Sequence, residues 1–217
     1  MVLEEKKIIS FAWKWLGERR TRSLALPDFP KTWKRDKRDN SELMLFLHAL
    51  ISEADIVVAH NANFDDKMAA ADFITLGLKP PSPHKTVCTL KVARSVFKFS
   101  SNKLDDLGQR LGVGRKIQTG GFKLWKACMD GSVAAYAKLK RYNRGDVDLL
   151  ERIYLKLRPW MRNHPQVGTL TVDRCPACRG QNLTSRGRGM NKQGAYRKFQ
   201  CNDCGHWVSG ASPRARR

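Results

Sequence analysis

The apolar positions of the first 160 residues alternate between short continuous runs and helical spacing. Residues 7–15 are apolar, β-branched and aromatic, which predicts a strand, and residues 21–26 can return beside it as the second strand of a hairpin. The apolar run over 55–59 predicts a strand buried on both faces, as in a parallel sheet. Residues 85–90 predict a further strand, whereas the basic segment 27–40 lacks such a pattern and we expect a loop there.

Helical periodicity separates these strands. Apolar residues three and four positions apart predict helices over 41–52 and 142–157, and Leu104, Leu107 and Leu111 indicate another that ends at Gly112. We also expect helices over 65–76, after the strand 55–59, and over 132–139. Gly77 and Pro159 are natural ends for the helices 65–76 and 142–157. Strands that alternate with helices indicate an α/β fold.

The charge of the chain is strongly positive and unevenly distributed. Its 217 residues include 41 Lys and Arg against 20 Asp and Glu, a formal net charge of +21. Residues 158–217 hold 12 basic and two acidic residues, about twice the charge density of the rest. A basic balance of this kind favours a nucleic-acid partner. The shift near Pro159 predicts one domain over 1–160 and a second, basic domain over 161–217.

Membrane and secretory signals are lacking. No apolar run approaches the ~18 residues of a membrane span, and the first residues do not have the layout of a signal peptide. We therefore expect an intracellular, cytoplasmic protein without a membrane partner. In that reducing compartment the six cysteines are thiols or metal ligands. Cys88 and Cys128 stand alone and are expected to be small buried apolar residues.

Two Cys-x-x-Cys pairs near the C-terminus have the spacing of a zinc ribbon. Cys175 and Cys178 form the first pair, and Cys201 and Cys204 follow after 22 intervening residues. We expect the intervening segment to form a hairpin that brings four thiolates around one structural Zn²⁺ with no open coordination position. The alternatives are a chance pairing of motifs, and His206 as a competing ligand rather than a solvated or phosphate-facing neighbour.

The segment around the second cysteine pair interleaves basic and aromatic residues. Such a mixture suits contacts with phosphates and stacking on bases. Phe199 and Trp207 are instead expected in the small core of the ribbon. We expect nucleic-acid binding by Arg186, Arg188, Lys192, Tyr196, Arg197 and Lys198.

Two short motifs place polar side chains next to predicted strand and helix ends. HNANFD, residues 60–65, follows the strand 55–59, where α/β sheets bind their ligands. Alternatively, Asp65 or Asp66 only caps the next helix. Tyr142 and Asp146 are four residues apart and share a helix face. A phenol and a carboxylate that converge can position a water and hold a metal ion; the alternative is a half-buried aromatic residue and a surface charge.

The two motifs together, HNANFD and YNRGD, resemble the DEDD-type 3′–5′ exonucleases of the ribonuclease H-like superfamily, in the subtype with Tyr in its third motif. The chain looks most like exonuclease domains related to those of family B DNA polymerases, over residues 1 to about 160. A trailing zinc ribbon also occurs among such proteins. The likeness extends through IISFAWKWLGE, NKLDDLGQRLGVGRK, TGGFKLWKA and YNRGDVDLLERIYLKLRPW.

This resemblance implies a fold and an activity. The fold is a ribonuclease H-like mixed sheet with flanking helices, followed by the zinc ribbon. The activity is metal-dependent phosphodiester hydrolysis from a 3′ end, with DNA favoured over RNA. Asp65 and Asp146 would then bind Mg²⁺ or Mn²⁺, and Tyr142 would orient the attacking water.

One part of the family pattern is missing. In the family the first motif, Asp-x-Glu, lies on the central first strand of the sheet, and this sequence contains no Asp-x-Glu. Two of four metal carboxylates are therefore lacking, and the hairpin would be separated from the strand 55–59. The interpretations are a truncated or split chain completed by another segment, a noncatalytic nucleic-acid-binding protein, or a rearranged site using Glu4, Glu5 or Asp148. We expect the first, an exonuclease-family protein that is inactive as this chain alone.

Overall fold

The structure, a computed structural model, describes residues 6–119, 121–161, 164–165, 174–191 and 194–209. It divides into two compact units, Met1–Tyr154 and Leu155–Arg217. The boundary lies five residues before Pro159, where the composition of the sequence changes.

The described part of the first unit combines helices with short strands. This alternation confirms the α/β class and agrees with a ribonuclease H-like exonuclease fold. The elements are β1 (Ser10–Trp13), β2 (Arg22–Ala25), α1 (Pro30–Arg35), α2 (Ser41–Glu53), β3 (Ile56–Ala59), α3 (Ala62–Thr75), β4 (Lys85–Cys88), α4 (Thr89–Val96), α5 (Leu104–Arg110), α6 (Phe122–Met129) and α7 (Val133–Leu157).

The strands of this unit form two separate two-stranded sheets. β1 and β2 pair antiparallel, with Ser10 opposite Ala25. β3 and β4 pair parallel, with Ile56 opposite Lys85. Among the described residues no strand joins the two sheets. The hairpin is thus separated from the parallel strand, as the sequence predicts.

The apolar core of the first unit gathers side chains from the hairpin and from α2, α3, α6 and α7. Leu43, Met44 and Leu139 are fully buried in it. A buried carboxylate at its edge, Asp72 of α3, accepts hydrogen bonds at Oδ2 from the backbone N–H of Ile8 and from Asn40 Nδ2, both at 3.0 Å. Because these donors satisfy it, Asp72 ties the start of the hairpin to α2 and α3.

The loop expected over 27–40 is wrong, because this segment contains α1. Pro30 occupies the first helical position, where its fixed φ suits a helix and its missing N–H costs nothing. Trp33 packs edge-on against Tyr136 of α7, with ring centroids 5.4 Å apart. The buried Thr32, whose hydroxyl donates to Glu42 of α2, is a second anchor of this helix. The basic residues of α1 mask the pattern in the sequence.

Other differences concern element limits. The predicted helices 132–139 and 142–157 are one continuous helix, α7, since no Gly or Pro separates them. α3 begins before Asp65 because Asn61, in the left-handed conformation with φ 68°, already turns the chain from β3 into the helix. The sequence does not predict α4 and α6, which are too short to show periodicity. β3 is half-buried rather than buried, because among the described strands only β4 pairs with it.

The described part of the second unit is a three-stranded antiparallel sheet in the order β5-β6-β7. Its strands are β5 (Leu183–Asn191), β6 (Gly194–Cys201) and β7 (Trp207–Ser209). The hairpin expected between the cysteine pairs is formed by β5 and β6, with Leu183 opposite Cys201. A register shift between Ser185 and Arg188 interrupts the ladder.

Candidate functional site

The YNRGD motif divides its side chains between two faces of α7. Arg144 donates from Nη1 to Ser23 Oγ (2.8 Å), so one face holds the β1–β2 hairpin. Tyr142 and Asp146, one turn apart, occupy the adjacent face. The helix therefore positions the phenol and the carboxylate on a rigid element.

Asp148, a candidate replacement acid, belongs to the hairpin-facing side of α7. It accepts a hydrogen bond from the hydroxyl of Thr21 and lies 3.7 Å from Lys14 Nζ. These contacts make Asp148 a structural residue. The other candidates, Glu4 and Glu5, lie outside the described residues.

Tyr142 and Asp146 converge on a lysine that the sequence analysis missed. Lys116 Nζ lies 2.8 Å from Asp146 Oδ2 and 4.9 Å from the centre of the Tyr142 ring. Desolvation acts against the charge of Lys116, but its contact with Asp146 holds the pKa of the ammonium above its ordinary value. Burial, together with the charge of Asp146, raises the pKa of Tyr142, so the phenol stays protonated at neutral pH.

The second oxygen of Asp146 is unsatisfied. Asp146 Oδ1 is buried and has no hydrogen-bond partner among the described residues. A buried carboxylate oxygen without a donor or cation costs free energy, so it marks a position for an additional ligand.

Asp65 lies in the first turn of α3 and is not joined to this cluster. Within the described part of the chain its carboxylate makes no hydrogen bond or ion pair with another residue. Desolvation, and then the charge of neighbouring Asp66, raises the pKa of Asp65 to about 6, although part of its side chain remains exposed. The structure thus brings Tyr142 and Asp146 together but does not bring Asp65 into contact with them.

His60, at the end of β3, is a second residue that the sequence analysis did not single out as a site residue. His60 Nδ1 lies 2.9 Å from Thr89 Oγ1, and the same Thr89 hydroxyl lies 3.3 Å from the Ala59 carbonyl oxygen. The ring also hydrogen-bonds the backbone of Asn102. Burial, followed by the charges of Lys116 and Arg94, lowers the pKa of His60 and keeps the ring neutral.

A cleft of about 480 Å³ lies beside these residues. Its lining combines leucine side chains with basic and amide groups. The lining residues are His60, Asn61, Leu90, Arg94, Ser100, Ser101, Asn102, Lys103, Leu104 and Lys116.

Signals for the missed residues differ. His60 is the first residue of the HNANFD motif, so its position directly after a strand is visible in the sequence. Lys116 has no such signal, because it is one of 41 basic residues and meets Asp146 only through the tertiary fold.

The four cysteines of the second unit form one cluster. Their sulfur atoms all lie within 4.8 Å of one another, with Cys175 to Cys204 at 3.6 Å and Cys178 to Cys201 at 3.5 Å. Tetrahedral zinc with Zn–S bonds of ~2.3 Å separates its sulfurs by ~3.8 Å. The donor set and its spacing therefore fit a single Zn²⁺.

Burial supports an ion at this cluster. It raises the pKa of the Cys204 thiol well above the ordinary value, which disfavours a thiolate unless a cation compensates it. By contrast, Cys88 and Cys128 are buried and lie outside the cluster, which confirms the expectation of small core residues.

Two expectations for this unit are wrong. His206 is neither solvated nor a member of the sulfur cluster: it is buried, and its Nδ1 lies 2.6 Å from the Pro159 carbonyl oxygen. Trp207 is 53% exposed and does not belong to the buried cluster that forms around Cys175, Ala177 and Cys201.

The predicted nucleic-acid contacts lie mostly on the surface. Arg186, Arg188 and Arg197 are exposed. Tyr196 is partly buried, and its ring lies over Gly189, where a Cβ atom would approach the ring to 2.6 Å. Lys198 is half-buried. Lys192 lies outside the described residues.

Comparison with known proteins identifies part of the first unit. Residues 33–117 match the exonuclease family model, RNase_T. The matched segment runs from α1 to the loop that carries Lys116, and includes Asp65 but not Tyr142 or Asp146. The match indicates an exonuclease domain of the ribonuclease H-like type over these residues, and such a domain implies a nucleic-acid substrate. No curated protein and no solved structure matches the chain.

No helix among the described residues combines the length and apolar character that a bilayer crossing requires.

The oxygen donors of the site supply only part of the ligands that the divalent ions of such exonucleases require. Asp146 Oδ1 and the Asp65 carboxylate lack protein partners among the described residues, as ion ligands would. However, within the described part of the chain, the cysteine cluster is the one place where three or more His, Cys, Asp or Glu side chains lie close enough together to hold a metal ion. Lys116 also engages Asp146 Oδ2. Two acids do not by themselves hold a pair of divalent ions.

Proposed function

We propose that this chain provides most of the catalytic domain of a metal-dependent 3′–5′ exonuclease that acts on single strands, with DNA favoured over RNA. The observation that carries the proposal is the match of residues 33–117 to the exonuclease family. The convergence of Tyr142 and Asp146 on one face of α7, beside a cleft of nucleotide size, supports it.

Each residue has a defined part in this proposal. Asp146, with its unpartnered Oδ1, and Asp65 would hold Mg²⁺ or Mn²⁺, which supplies charge neutralisation at the scissile phosphate and a nucleophilic water. Tyr142 keeps its proton, so its hydroxyl can orient that water. Arg94 and Lys103 line the cleft and can hold the phosphates of the strand being degraded.

The missing carboxylates define a second part of the proposal. We infer that a strand bearing Asp-x-Glu, supplied by another segment, completes the sheet between β1 and β3. Two observations support it: the sequence contains no Asp-x-Glu, and the two sheets are not joined by a described strand. An added strand would pair with the unpaired backbone groups at the sheet edges, and its Asp-x-Glu would supply the two missing carboxylates.

Hydrolysis by a completed chain tests this proposal. A strand carrying Asp-x-Glu is fused ahead of the hairpin, and an Asn-x-Gln strand serves as the matched control. With Mg²⁺ and single-stranded DNA, nucleotide release is expected from the first fusion and not from the control or the unfused chain. Asp65→Asn or Asp146→Asn should abolish release, and Tyr142→Phe should slow it about 100-fold.

Two results would contradict this assignment. Equal hydrolysis by the Asp-x-Glu and Asn-x-Gln fusions would show that the added acids take no part. Hydrolysis by the unfused chain that Asp146→Asn does not change would place the activity elsewhere in the molecule.

For the second unit, we propose a structural zinc ribbon that binds nucleic acid without sequence selectivity. The four-sulfur cluster and the exposed arginines of β5 and β6 support this role. Arginine pairs with phosphates in a bidentate manner, and Tyr196 offers an aromatic face for a base.

A further inference from the structure

We propose that Lys116 is the resident cation of the Tyr142–Asp146 site and that a divalent ion binds Asp146 only by displacing it. The inference rests on the proposed function, in which Asp146 is a metal ligand. It adds that Lys116 and the divalent ion compete for Asp146, which neither the carboxylate motifs nor the family match predicts.

The position of the ammonium group is the first argument. Lys116 Nζ contacts Asp146 Oδ2 at 2.8 Å, and the two side chains are only 29% and 23% exposed. A divalent ion bound to the same carboxylate at ~2.1 Å would lie within a few ångströms of this ammonium. Partial burial reduces screening, so the two cations would repel each other strongly.

The loop that delivers Lys116 is fixed at its backbone. The N–H of Lys116 donates to Asp105 Oδ1 at 2.7 Å, and Arg115 lies 4.0 Å from the other oxygen of the same carboxylate. Asp105 belongs to α5, so a helix of the domain anchors the loop. The backbone of Lys116 and the side chain of Arg115 both contact Asp105 of α5, and these contacts hold the loop, and with it the ammonium, at the site.

A glycine allows this loop to rest on α7. A Cβ atom at Gly145 would lie 2.7 Å from Ile117 Cδ1, closer than side chains approach. Gly145 lies between Tyr142 and Asp146, so Ile117 packs on the same turn of the helix that carries the proposed site. Lys116 and Ile117 together cover that turn with a charge and an apolar group.

Binding of Mn²⁺ to the full zinc-loaded chain, followed by electron paramagnetic resonance, tests the competition. Lys116→Met keeps the apolar stem but removes the charge, and should bind Mn²⁺ at least about tenfold more tightly than the unmodified chain. The gain should vanish in the double variant Lys116→Met, Asp146→Asn. Lys116→Gln should show the same gain with a polar replacement.

Lys126→Met is the matched control for charge. Lys126 also pairs with an aspartate, Asp130, at 3.1 Å, but this pair is exposed on α6. The control lowers the net charge by the same amount, so it should leave Mn²⁺ affinity unchanged within about twofold. If Lys126→Met raised the Mn²⁺ affinity as much as Lys116→Met, the effect would come from the net charge of the chain and not from the contact with Asp146, and the proposal would be overturned.

A second measurement needs no variant at Lys116. The ¹³Cε resonance of Lys116, assigned by NMR, should shift when diamagnetic Mg²⁺ saturates the site, because the ammonium leaves Asp146. A resonance that stays unchanged while Asp146-dependent ion binding occurs would overturn the competition.

The failures of the inference and of the proposed function are distinguishable. Equal Mn²⁺ affinity in the unmodified chain and Lys116→Met, with binding lost in Asp146→Asn, would overturn the competition and leave Asp146 as a ligand. Binding that is unaffected by Asp146→Asn in every background would overturn both.

Discussion

At the scale of single residues, the two proposed metal ligands of this protein have opposite environments. Asp146 lies against an ammonium, which stabilises its negative charge. Asp65 lacks such a partner among the described residues and lies in the first turn of α3, beside the like charge of Asp66. Without a metal ion, the Asp146 carboxylate is thus paired with a cation, whereas the Asp65 carboxylate is repelled by a neighbouring carboxylate.

The pKa of Asp65 is the first prediction at this scale. Carboxyl ¹³C NMR without added divalent ions should give about 6, above the ordinary ~3.9. Because the folded-state pKa is raised, the favourable contribution of Asp65 is present below pH ~4 and is lost as the pH rises through 6. Asp65→Asn should thus stabilise the protein near pH 7, by on the order of 0.5 kcal/mol after solvent screening.

Asp66→Asn is the control for the cause of this shift. It removes the like charge but not the desolvation, so the pKa of Asp65 should fall only part of the way. An ordinary pKa for Asp65 in the unmodified chain would contradict this description of the helix start.

At the scale of elements, α7 organises the first unit. One face holds the hairpin through Arg144, and the adjacent face carries Tyr142, Gly145 and Asp146 beneath the loop with Lys116. The helix is thus both the support of the fold and the platform of the proposed site.

Gly145→Ala tests how closely the loop rests on α7. In an open helix this change stabilises by up to ~1 kcal/mol. Here we expect it to destabilise by about 1–3 kcal/mol, because the new methyl would meet Ile117. Denaturant unfolding of Gly145→Ala, Ile117→Ala and the double variant measures this, and the double variant should recover the loss. A stabilising Gly145→Ala would show that the loop does not occupy this turn.

The sequence pattern predicts elements that carry several apolar residues. The hairpin, α2, α5 and most of α7 follow from periodicity alone, because each presents a repeated apolar stripe to the core. α1 and α6 do not, since a six- or eight-residue helix held by one or two anchors such as Trp33 has too few positions to show a period.

The candidate site is predictable to a similar degree. Tyr142 and Asp146 lie on one helix, so their spacing predicts that they meet. Lys116 and His60 reach the site from a loop and a strand end, and their contacts depend on packing that no local spacing encodes. The lack of contact between Asp65 and Asp146 is likewise a tertiary property.

At the scale of the whole molecule, the positive charge is densest in the second unit, whose buried apolar cluster is smaller than that of the first unit. Among the described residues of the second unit, the buried cluster around the cysteines consists of Cys175, Ala177 and Cys201, with Leu183 and Cys204 packed against it. We therefore expect the folding of this unit to depend on a metal ion bound by the four cysteines.

Cys178→Ser tests this dependence. The variant should lose its zinc, measured by elemental analysis, and the sheet β5–β7 should lose its amide protection from exchange. Its affinity for single-stranded DNA should fall, with a shallower slope of log affinity against log salt, because the arginines are no longer held together. Cys88→Ser, outside the cluster, is the matched control. Native protein without zinc would contradict the ribbon.

The direction of degradation tests the central claim most directly. The Asp-x-Glu fusion is given a single-stranded DNA labelled at its 5′ end, with a terminal phosphorothioate bond at either end. We predict a ladder that shortens from the 3′ end, release of nucleoside 5′-monophosphates, and slowing only by the 3′ phosphorothioate. Early release of the 5′ label, or internal fragments that persist in Asp146→Asn, would contradict a 3′–5′ exonuclease built on Tyr142 and Asp146.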